Sequence, residues 1–226
     1  VLRYVLCAIS PENKDSDFSW KDFQARNNNE LGAIFGNFVN RTLVLTHKYF
    51  NGVVPERNAL EKEDIAVLDV LKQTPLTVEK AIRSFRFRDA QAEAMKLARV
   101  GNKYLADTEP WKQIKTNPDR VKTILNISLQ ITASLAVIFE PFMPHISSKL
   151  ASMLGIELPK WDAAGNSALI LSGHCINKPE ILFAKIEDEL IDAQLEKLKN
   201  TTSNQSKFPP MKDEITFDEF TKLDIR

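Results

Sequence analysis

The sequence predicts an all-α protein, an antiparallel helical bundle with loop-rich additions at its C-terminal end. Three observations lead to this prediction. Apolar residues recur at three- and four-residue steps over several long segments, which is the period of an amphipathic helix. Proline, asparagine and glycine stand where these segments would begin and end. The chain has 226 residues, 43% of them hydrophobic, which is enough for a large core that needs no disulfide or metal ion to stabilise it.

The N-terminal part predicts a short buried segment at residues 1–9, a polar turn at residues 10–16 and a long helix at residues 20–50. Asn51 and Gly52 follow the long helix, and both residue types commonly end helices. One face of the helix is apolar. Its members are Leu31, Ile34, Phe35, Phe38, Leu45 and Tyr49.

The middle of the chain predicts a second helix at residues 61–72 and a third at residues 76–106. Pro75 separates them, because proline suits the first turn of a helix and interrupts its interior. Small residues in the third helix would let a neighbouring helix approach closely. They are Ala90, Ala92, Ala94 and Ala98.

A fourth helix is predicted at residues 119–139, with Asn117 as its N-cap. It is apolar over most of its circumference, so we expect it at the centre of the bundle. Pro141 and Pro144 bracket a kink, and a short helix is expected at residues 145–154.

The helical period is lost over residues 161–186, where residues 168–171 and 181–183 suggest short extended pieces. A last amphipathic helix is predicted at residues 186–199, acidic at its start and rich in lysine at its end, as the helix dipole favours. Residues 200–212 have the composition of a linker. Residues 214–226 resemble the beginning of a further element.

Charge and cysteine content narrow the function classes. The 30 basic and 30 acidic side chains cancel, which gives no general indication of nucleic acid but leaves room for a local basic patch. Cys7 and Cys175 form no CxxC pair, so we expect no disulfide framework, no metal site and a cytoplasmic location. No apolar run reaches about 18 residues, and we expect no membrane span. The chain starts at Val1 without a signal peptide, and we expect it to be part of a longer protein.

A polar stripe on the 20–50 helix is the first candidate site. Asn37, Arg41, Val44 and Lys48 lie on the flank of its apolar face, where packing half-supports a side chain that can still reach a ligand. Asparagine offers a donor and an acceptor, and arginine offers a planar fork, so the pair suits an unstacked base. Taken alone, the stripe is also what an ordinary solvated helix flank would show.

A second cluster follows the third helix, where Asn102 and Tyr104 precede Pro110 and Trp111. A tryptophan stiffened by a preceding proline could serve as a stacking platform, worth about 1–3 kcal/mol for each stacked base. Residues 99–122 hold six basic and three acidic side chains, so this region is locally positive. Taken alone, the tryptophan could equally be a lid packed over the bundle.

Three strings together resemble one family, the methionyl-tRNA synthetases. NNELGAIFGNFVNR at residues 28–41 is similar to the first helix of their anticodon-binding domain, and NKYLADTEPW at residues 102–111 is similar to their N-x-Y…P-W segment. PFMPHI at residues 141–146 resembles a turn shared by the class Ia synthetases for Met, Ile, Leu, Val and Cys.

The resemblance extends to both ends and implies a domain plan. Residues 1–19 resemble the segment that links the catalytic and anticodon domains, and residues 20–160 the anticodon-binding bundle. Residues 161–199 would be a C-terminal extension with the last helix, which packs on the bundle or toward the catalytic domain. Residues 200–226 would be a linker and the start of an OB-fold tRNA-binding domain.

The resemblance also implies roles for residues. Trp111 would stack on the first anticodon base, the cytosine of CAU, while Asn37 and Arg41 hydrogen-bond that base or its neighbours. Asn102, Tyr104 and Pro110 would shape the platform and contact RNA. Lys48 completes the anticodon-binding set, and no catalytic residue or metal ligand is expected in this chain.

The family attaches methionine to tRNA(Met) using ATP and Mg²⁺, and its catalytic domain often holds structural Zn²⁺. The HIGH and KMSKS motifs and the cysteines of the zinc knuckle are absent from this sequence, so we expect it to be inactive alone. The implied partners are tRNA(Met), the catalytic domain of the same protein and, through the OB-fold, a second copy in a homodimer.

Two alternatives stay open from the sequence. One is the anticodon-binding domain of a class Ia sibling for Ile, Val or Leu, and the other is a helical protein-interaction scaffold. The remaining histidines and tryptophans are predicted to have structural roles. They are His47, His145, His174, Trp20 and Trp161. Three arginines, Arg83, Arg86 and Arg88, are predicted to form a solvated helix face, with a supporting contact to the tRNA stem as the alternative.

Overall fold

The computed structural model describes residues 1–12, 15–204, 216, 217, 221 and 222. They belong to two compact units, Val1–Ile186 and Glu187–Arg226. The first unit is a set of helices around one hydrophobic core. Its described residues contain no β-strand, and their one isolated bridge joins Val53 to Cys175. The predicted all-α fold is confirmed.

The first helices confirm the predicted long helix and add a feature that the sequence did not predict. After α1 (Leu2–Ala8), helix α2 (Trp20–Ala25) continues through a π-helical segment (Arg26–Gly36) into α3 (Asn37–Phe50). The residues at both junctions keep right-handed helical angles, so residues 20–50 form one continuous helix. The Ser19 hydroxyl caps its start, and Asn51, with φ 52°, ends it.

The predicted break at Pro75 is wrong. Helix α4 (Lys62–Arg83) runs through that proline, and the break falls at residues 84–86, before α5 (Phe87–Thr108). Pro75 removes the amide donor of the Leu71 carbonyl, at a cost of about 3 kcal/mol. Burial of residues on both sides of the proline, among them Leu71 and Val78, outweighs this cost. The backbone of Gly165 approaches this part of α4 closely, because an added Cβ there would lie 3.0 Å from the Leu71 carbonyl oxygen.

The bundle is centred on one helix, as predicted. After the short α6 (Pro110–Gln113), helix α7 (Pro118–Ile138) is buried over nearly its whole circumference, and α8 (Pro144–Leu154) follows it. The Asn117 side chain caps α7 by accepting the Arg120 amide at 3.2 Å. Among the described residues only α7 is long and apolar enough to cross a membrane, and its 18-residue apolar window is 94% buried in the bundle, as in a core helix.

The region after α8 is irregular. It contains a 3₁₀ turn (Trp161–Ala163), and the two extended pieces predicted at residues 168–171 and 181–183 are not β-strands. In this region, side-chain amides bind backbone N–H and C=O groups that would pair with a neighbouring strand in a β-sheet. Gln130 of α7 donates to the Ile170 carbonyl at 2.8 Å and accepts the Ile170 amide at 3.0 Å. Asn28 likewise donates to the Ile186 carbonyl at 2.8 Å and accepts its amide at 2.9 Å.

The second unit contains α9 (Asp188–Asn204). The helix predicted at residues 186–199 is confirmed, and it extends five residues into the stretch predicted to be a linker. The rest of that stretch, and most of the expected beginning of an OB-fold at residues 214–226, lies outside the described residues.

Candidate nucleic-acid interface

The polar stripe of the sequence lies on α3, directly after the π-helical segment. Because α3 has a period of about 3.6 residues, the positions of the stripe fall together on the edge of the core face. Phe38 and Leu43 are fully buried on that core face. On the stripe, Asn37, Val44 and Lys48 are exposed and Arg41 is half-buried. The flank predicted from the sequence is therefore present.

Helix α5 passes close to α3 at Gly101. An added Cβ at Gly101 would lie 2.5 Å from the Phe38 ring, so only glycine allows this separation of the two helices. The next residue, Asn102, meets α3. Its Nδ2 donates to the Ile34 carbonyl at 2.8 Å, and its Oδ1 accepts from Asn37 Nδ2 at 3.0 Å. Two site residues that are 65 positions apart in sequence are thus hydrogen-bonded to each other.

The turn between α5 and α6 presents Trp111. Glu109 ends α5 with φ 40°, and the buried Pro110 begins α6 at its first position, where its missing N–H costs nothing. The Trp111 side chain then stays 36% exposed. The guanidinium carbon of Arg41 lies 4.8 Å from the centroid of the Trp111 ring, within cation–π distance.

The structure therefore brings five of the six candidate residues into one patch, the reading patch. Four of them, Asn37, Arg41, Asn102 and Trp111, are joined by side-chain contacts or lie one helical turn apart. Pro110 belongs to it as the buried support of Trp111. Lys48 does not reach it, because it lies two turns beyond Arg41, about 10 Å along the helix. Its ammonium is 5.5 Å from the Tyr49 ring. The polar residues of α3 and the tryptophan of the α5–α6 turn thus form one surface.

The basic side chains around Trp111 are partly neutralised. Lys112 pairs with Glu109 at 2.8 Å, and Lys103 pairs with Asp107 at 2.6 Å. Both pairs are solvent-exposed, so they are weak and open to competition from phosphates.

Tyr104 is not part of the exposed surface, contrary to the expectation that it contacts RNA. It is 3% exposed, and its hydroxyl donates to Asp64 Oδ1 at 2.5 Å. Asp64 is fully buried and also accepts two hydrogen bonds from Arg120, from Nη1 at 2.6 Å and from Nη2 at 2.8 Å. Its carboxylate further accepts the Glu61 amide at 2.9 Å, as part of the capping box of α4.

Sequence reasoning missed this buried cluster, Asp64–Tyr104–Arg120. Asp64 looks like a first-turn residue of α4, and Arg120 looks like an ordinary charge at the start of α7. Burial by itself would raise the pKa of the Asp64 carboxyl, but the hydrogen bonds from Arg120, Tyr104 and the Glu61 amide outweigh it, so that pKa is lowered. Burial and the neighbouring carboxylate raise the pKa of the Tyr104 hydroxyl. Asp64 is therefore charged and Tyr104 neutral at physiological pH.

The remaining candidates have structural partners. His47 Nε2 lies 2.9 Å from the Asn177 carbonyl oxygen, and His174 Nε2 lies 2.8 Å from that of Leu154. Arg83 pairs with Glu79 at 2.7 Å and Arg86 pairs with Asp89 at 3.4 Å, on exposed surface. Trp20 packs edge-on against Phe18 and Phe23. Within the part of the chain that the structure describes, no group of three His, Cys, Asp or Glu residues could hold a metal ion.

Solved structures of other proteins share the helical fold of this chain. Mycobacterium tuberculosis methionyl-tRNA synthetase in its free state matches 82% of this chain and 38% of its own, with TM-score 0.75 and 22% sequence identity. The same enzyme in complex with methionyl-adenylate matches 80% of this chain and 36% of its own, with TM-score 0.73 and 22% identity.

Family models and curated relatives then identify the family. The model described as the anticodon binding domain of methionyl tRNA ligase matches residues 54–203, and that of the class I tRNA synthetases (M) matches residues 1–43. The methionine–tRNA ligase of Phocaeicola vulgatus is 58% identical over the whole chain, and that of Porphyromonas gingivalis 55%. The chain belongs to the methionyl-tRNA ligase family and corresponds to its anticodon-binding domain.

The chain spans about a third of the length of these relatives, 34% of each. Because the matching relatives are methionine–tRNA ligases, the class Ia siblings for Ile, Val and Leu and the interaction scaffold are not favoured.

Proposed function

We propose that this chain recognises the CAU anticodon of tRNA(Met) for a methionine–tRNA ligase that joins methionine to the tRNA at the expense of ATP. The observation that carries the proposal is the reading patch, where an exposed tryptophan ring lies beside the guanidinium of Arg41 and one turn from Asn37. Within the patch, the proposal gives each residue a distinct task.

Trp111 would provide the stacking surface for the first anticodon base. A base drawn out of its own stack gains about 1–3 kcal/mol on an aromatic ring. In the structure the Arg41 guanidinium covers one face of this ring. A base that stacks on that face takes the place of the guanidinium, which is then free to hydrogen-bond a base edge or a phosphate. Arg41 therefore keeps the ring covered until RNA arrives.

Asn37 would meet the edge of the stacked base, because it lies one helical turn, about 6 Å, before Arg41 on α3. Asn102 and Pro110 would hold Asn37 and Trp111 in place. Lys48 would act outside the reading patch, by attracting phosphates farther along α3.

The chemistry of aminoacylation would lie in the remaining two thirds of the relatives' length, outside the part that this chain matches. The 226 residues contain neither a HIGH nor a KMSKS motif, so no residue here is assigned to ATP, Mg²⁺ or Zn²⁺. Three statements stay predictions. They are the cytoplasmic location, the homodimer formed through an OB-fold, and the domain boundaries after residues 19, 160 and 199.

The test is the affinity of this chain for anticodon stem-loops that differ only at the first anticodon position. Cytosine should bind more tightly than uracil, adenine or guanine, and Trp111→Ala should weaken the cytosine complex by roughly 5- to 100-fold. Arg83→Ala is the matched control, because Arg83 is exposed in a helical ion pair outside the patch. Equal affinity for all four bases, or an unchanged affinity of the Trp111 variant, would refute the proposal.

A further inference from the structure

The side-chain amide of Asn102 has only one orientation that satisfies its surroundings. One end of the amide lies 2.8 Å from the Ile34 carbonyl oxygen and 3.3 Å from the Ala98 carbonyl oxygen. Carbonyl oxygens only accept hydrogen bonds, so this end must be the Nδ2 group. The Oδ1 of Asn102 is therefore turned toward α3.

This orientation fixes a second amide. Asn37 lies 3.0 Å from Asn102 Oδ1, and an oxygen there would place two acceptors in contact, so Asn37 must present its Nδ2. Its Oδ1 is then the amide atom left for a ligand, on a residue that is exposed and one helical turn from Arg41. Among the described residues, none donates a hydrogen bond to that oxygen.

An asparagine that is free to rotate reads cytosine and uracil equally well, because turning its amide over exchanges donor and acceptor. Cytosine carries an amine, a donor, where uracil carries a keto oxygen, an acceptor. The locked Asn37 offers an acceptor toward that position and keeps one N–H for the neighbouring ring nitrogen. It therefore accommodates the amine of cytosine or adenine and opposes the keto oxygen of uracil or guanine.

We infer that Asn102 is a positioning residue that fixes the amide polarity of Asn37 and so makes the reading patch select an amino base over a keto base. This rests on the proposed function. The anchor is the Ile34 carbonyl, which lies where the π-helical segment ends and α3 begins. The wide helical turns there present a carbonyl oxygen to α5, and the close approach at Gly101 brings Asn102 within reach of it.

The experiment compares the 226-residue chain with its Asn102→Ala variant on stem-loops that carry cytosine, uracil or pyrimidin-2-one at the first anticodon position. Pyrimidin-2-one keeps the C2 keto oxygen but has only hydrogen at C4, where cytosine has the amine and uracil the second keto oxygen. The unmodified chain should prefer cytosine over uracil by roughly 5- to 100-fold, with pyrimidin-2-one between them. The variant should lose most of this ratio, chiefly because its uracil complex becomes tighter once Asn37 can turn over.

A purely structural role of Asn102 would weaken all three complexes by the same factor and leave their ratio unchanged, and that result would overturn the inference. Asn102→Ser provides a second variant that keeps a polar side chain but is too short to bridge Ile34 and Asn37. It should lose the same ratio, and retention of the ratio would also overturn the inference. A chain that binds no stem-loop, or binds all bases equally before any substitution, refutes the proposed function itself.

Discussion

Asp64→Asn is the substitution for which the structure predicts the largest loss of stability without a change in side-chain size. It removes one negative charge from the centre of the buried cluster and leaves the Arg120 guanidinium facing a neutral amide. The remaining carboxylate partner of Arg120 is Glu61, 3.2 Å from its Nε, and the Glu61 side chain is 57% exposed, so that pair is weak. The side chain of Arg120 is 6% exposed and that of Asp64 is 0% exposed, so solvent cannot replace the lost partner. The hydroxyl of Tyr104 and both terminal nitrogens of Arg120 also lose a charged acceptor.

The expected cost follows from these contacts. Breaking a buried ion pair by neutralising one partner typically costs about 3–5 kcal/mol, because the other charge stays buried. For a domain of about 150–250 residues, each kcal/mol lowers Tm by about 2–4 °C, which gives a decrease of about 6–20 °C.

The assay is urea unfolding followed by circular dichroism, with Asp107→Asn as the matched control. Asp107 pairs with Lys103 one turn away on α5, but the two side chains are 53% and 76% exposed. Its loss should therefore cost no more than about 0.5 kcal/mol. An Asp64 variant within 1 kcal/mol of its control, with the m-value unchanged, would refute the argument that this pair holds the bundle together.

Three further outcomes follow from the same contacts. Arg41→Ala should weaken stem-loop binding more than Arg83→Ala does, because only Arg41 contacts Trp111, and equal effects in a filter-binding titration would contradict this. Gly101→Ala should lower the free energy of unfolding by about 1–3 kcal/mol through overpacking, because its Cβ would lie 2.5 Å from the Phe38 ring. Urea unfolding measures this loss, and an unchanged stability would show that α3 and α5 can separate freely. The pKa of Asp64 is lowered in the folded state, so its contribution to stability is complete above the unfolded aspartate pKa of about 3.9 and is lost as the pH falls below it. The measurement is the free energy of unfolding of the unmodified chain and of Asp64→Asn across about pH 3–6. The difference between the two should be constant at the upper end of this range and should shrink below about pH 4. A difference that shrinks as the pH rises would contradict the sign of the pKa shift.

The sequence predicted much of the fold because local signals and burial agree there. The apolar circumference of α7 and its Asn117 cap determine both its position and its start. Pro75 misled the prediction because a local penalty of about 3 kcal/mol is smaller than the burial gained by continuing α4 along α5. The π-helical segment could not be predicted either, because it is defined by i→i+5 backbone hydrogen bonds, which residue types and apolar spacing do not specify.

The reading patch was predicted by residue type and only partly by geometry. Trp111 and Arg41 carry chemistry that sequence alone can recognise, and the structure brings them within 4.8 Å. The separation of Lys48 from the patch depends on where the α5–α6 turn meets α3, which no local pattern specifies. The burial of Tyr104 depends on Asp64, 40 positions earlier, and only the packing of α4 against α5 reveals it.

The buried cluster and the reading patch are connected through α6. This short helix carries Trp111 between Tyr104 on α5 and Arg120 on α7, and both of those residues bind the same Asp64 carboxylate of α4. A four-residue helix has little stability of its own, so the direction of the tryptophan ring depends on how firmly its two flanking helices are held. We therefore expect the buried charge to keep the exposed ring in one orientation, which would reduce the entropy cost for a base that stacks there.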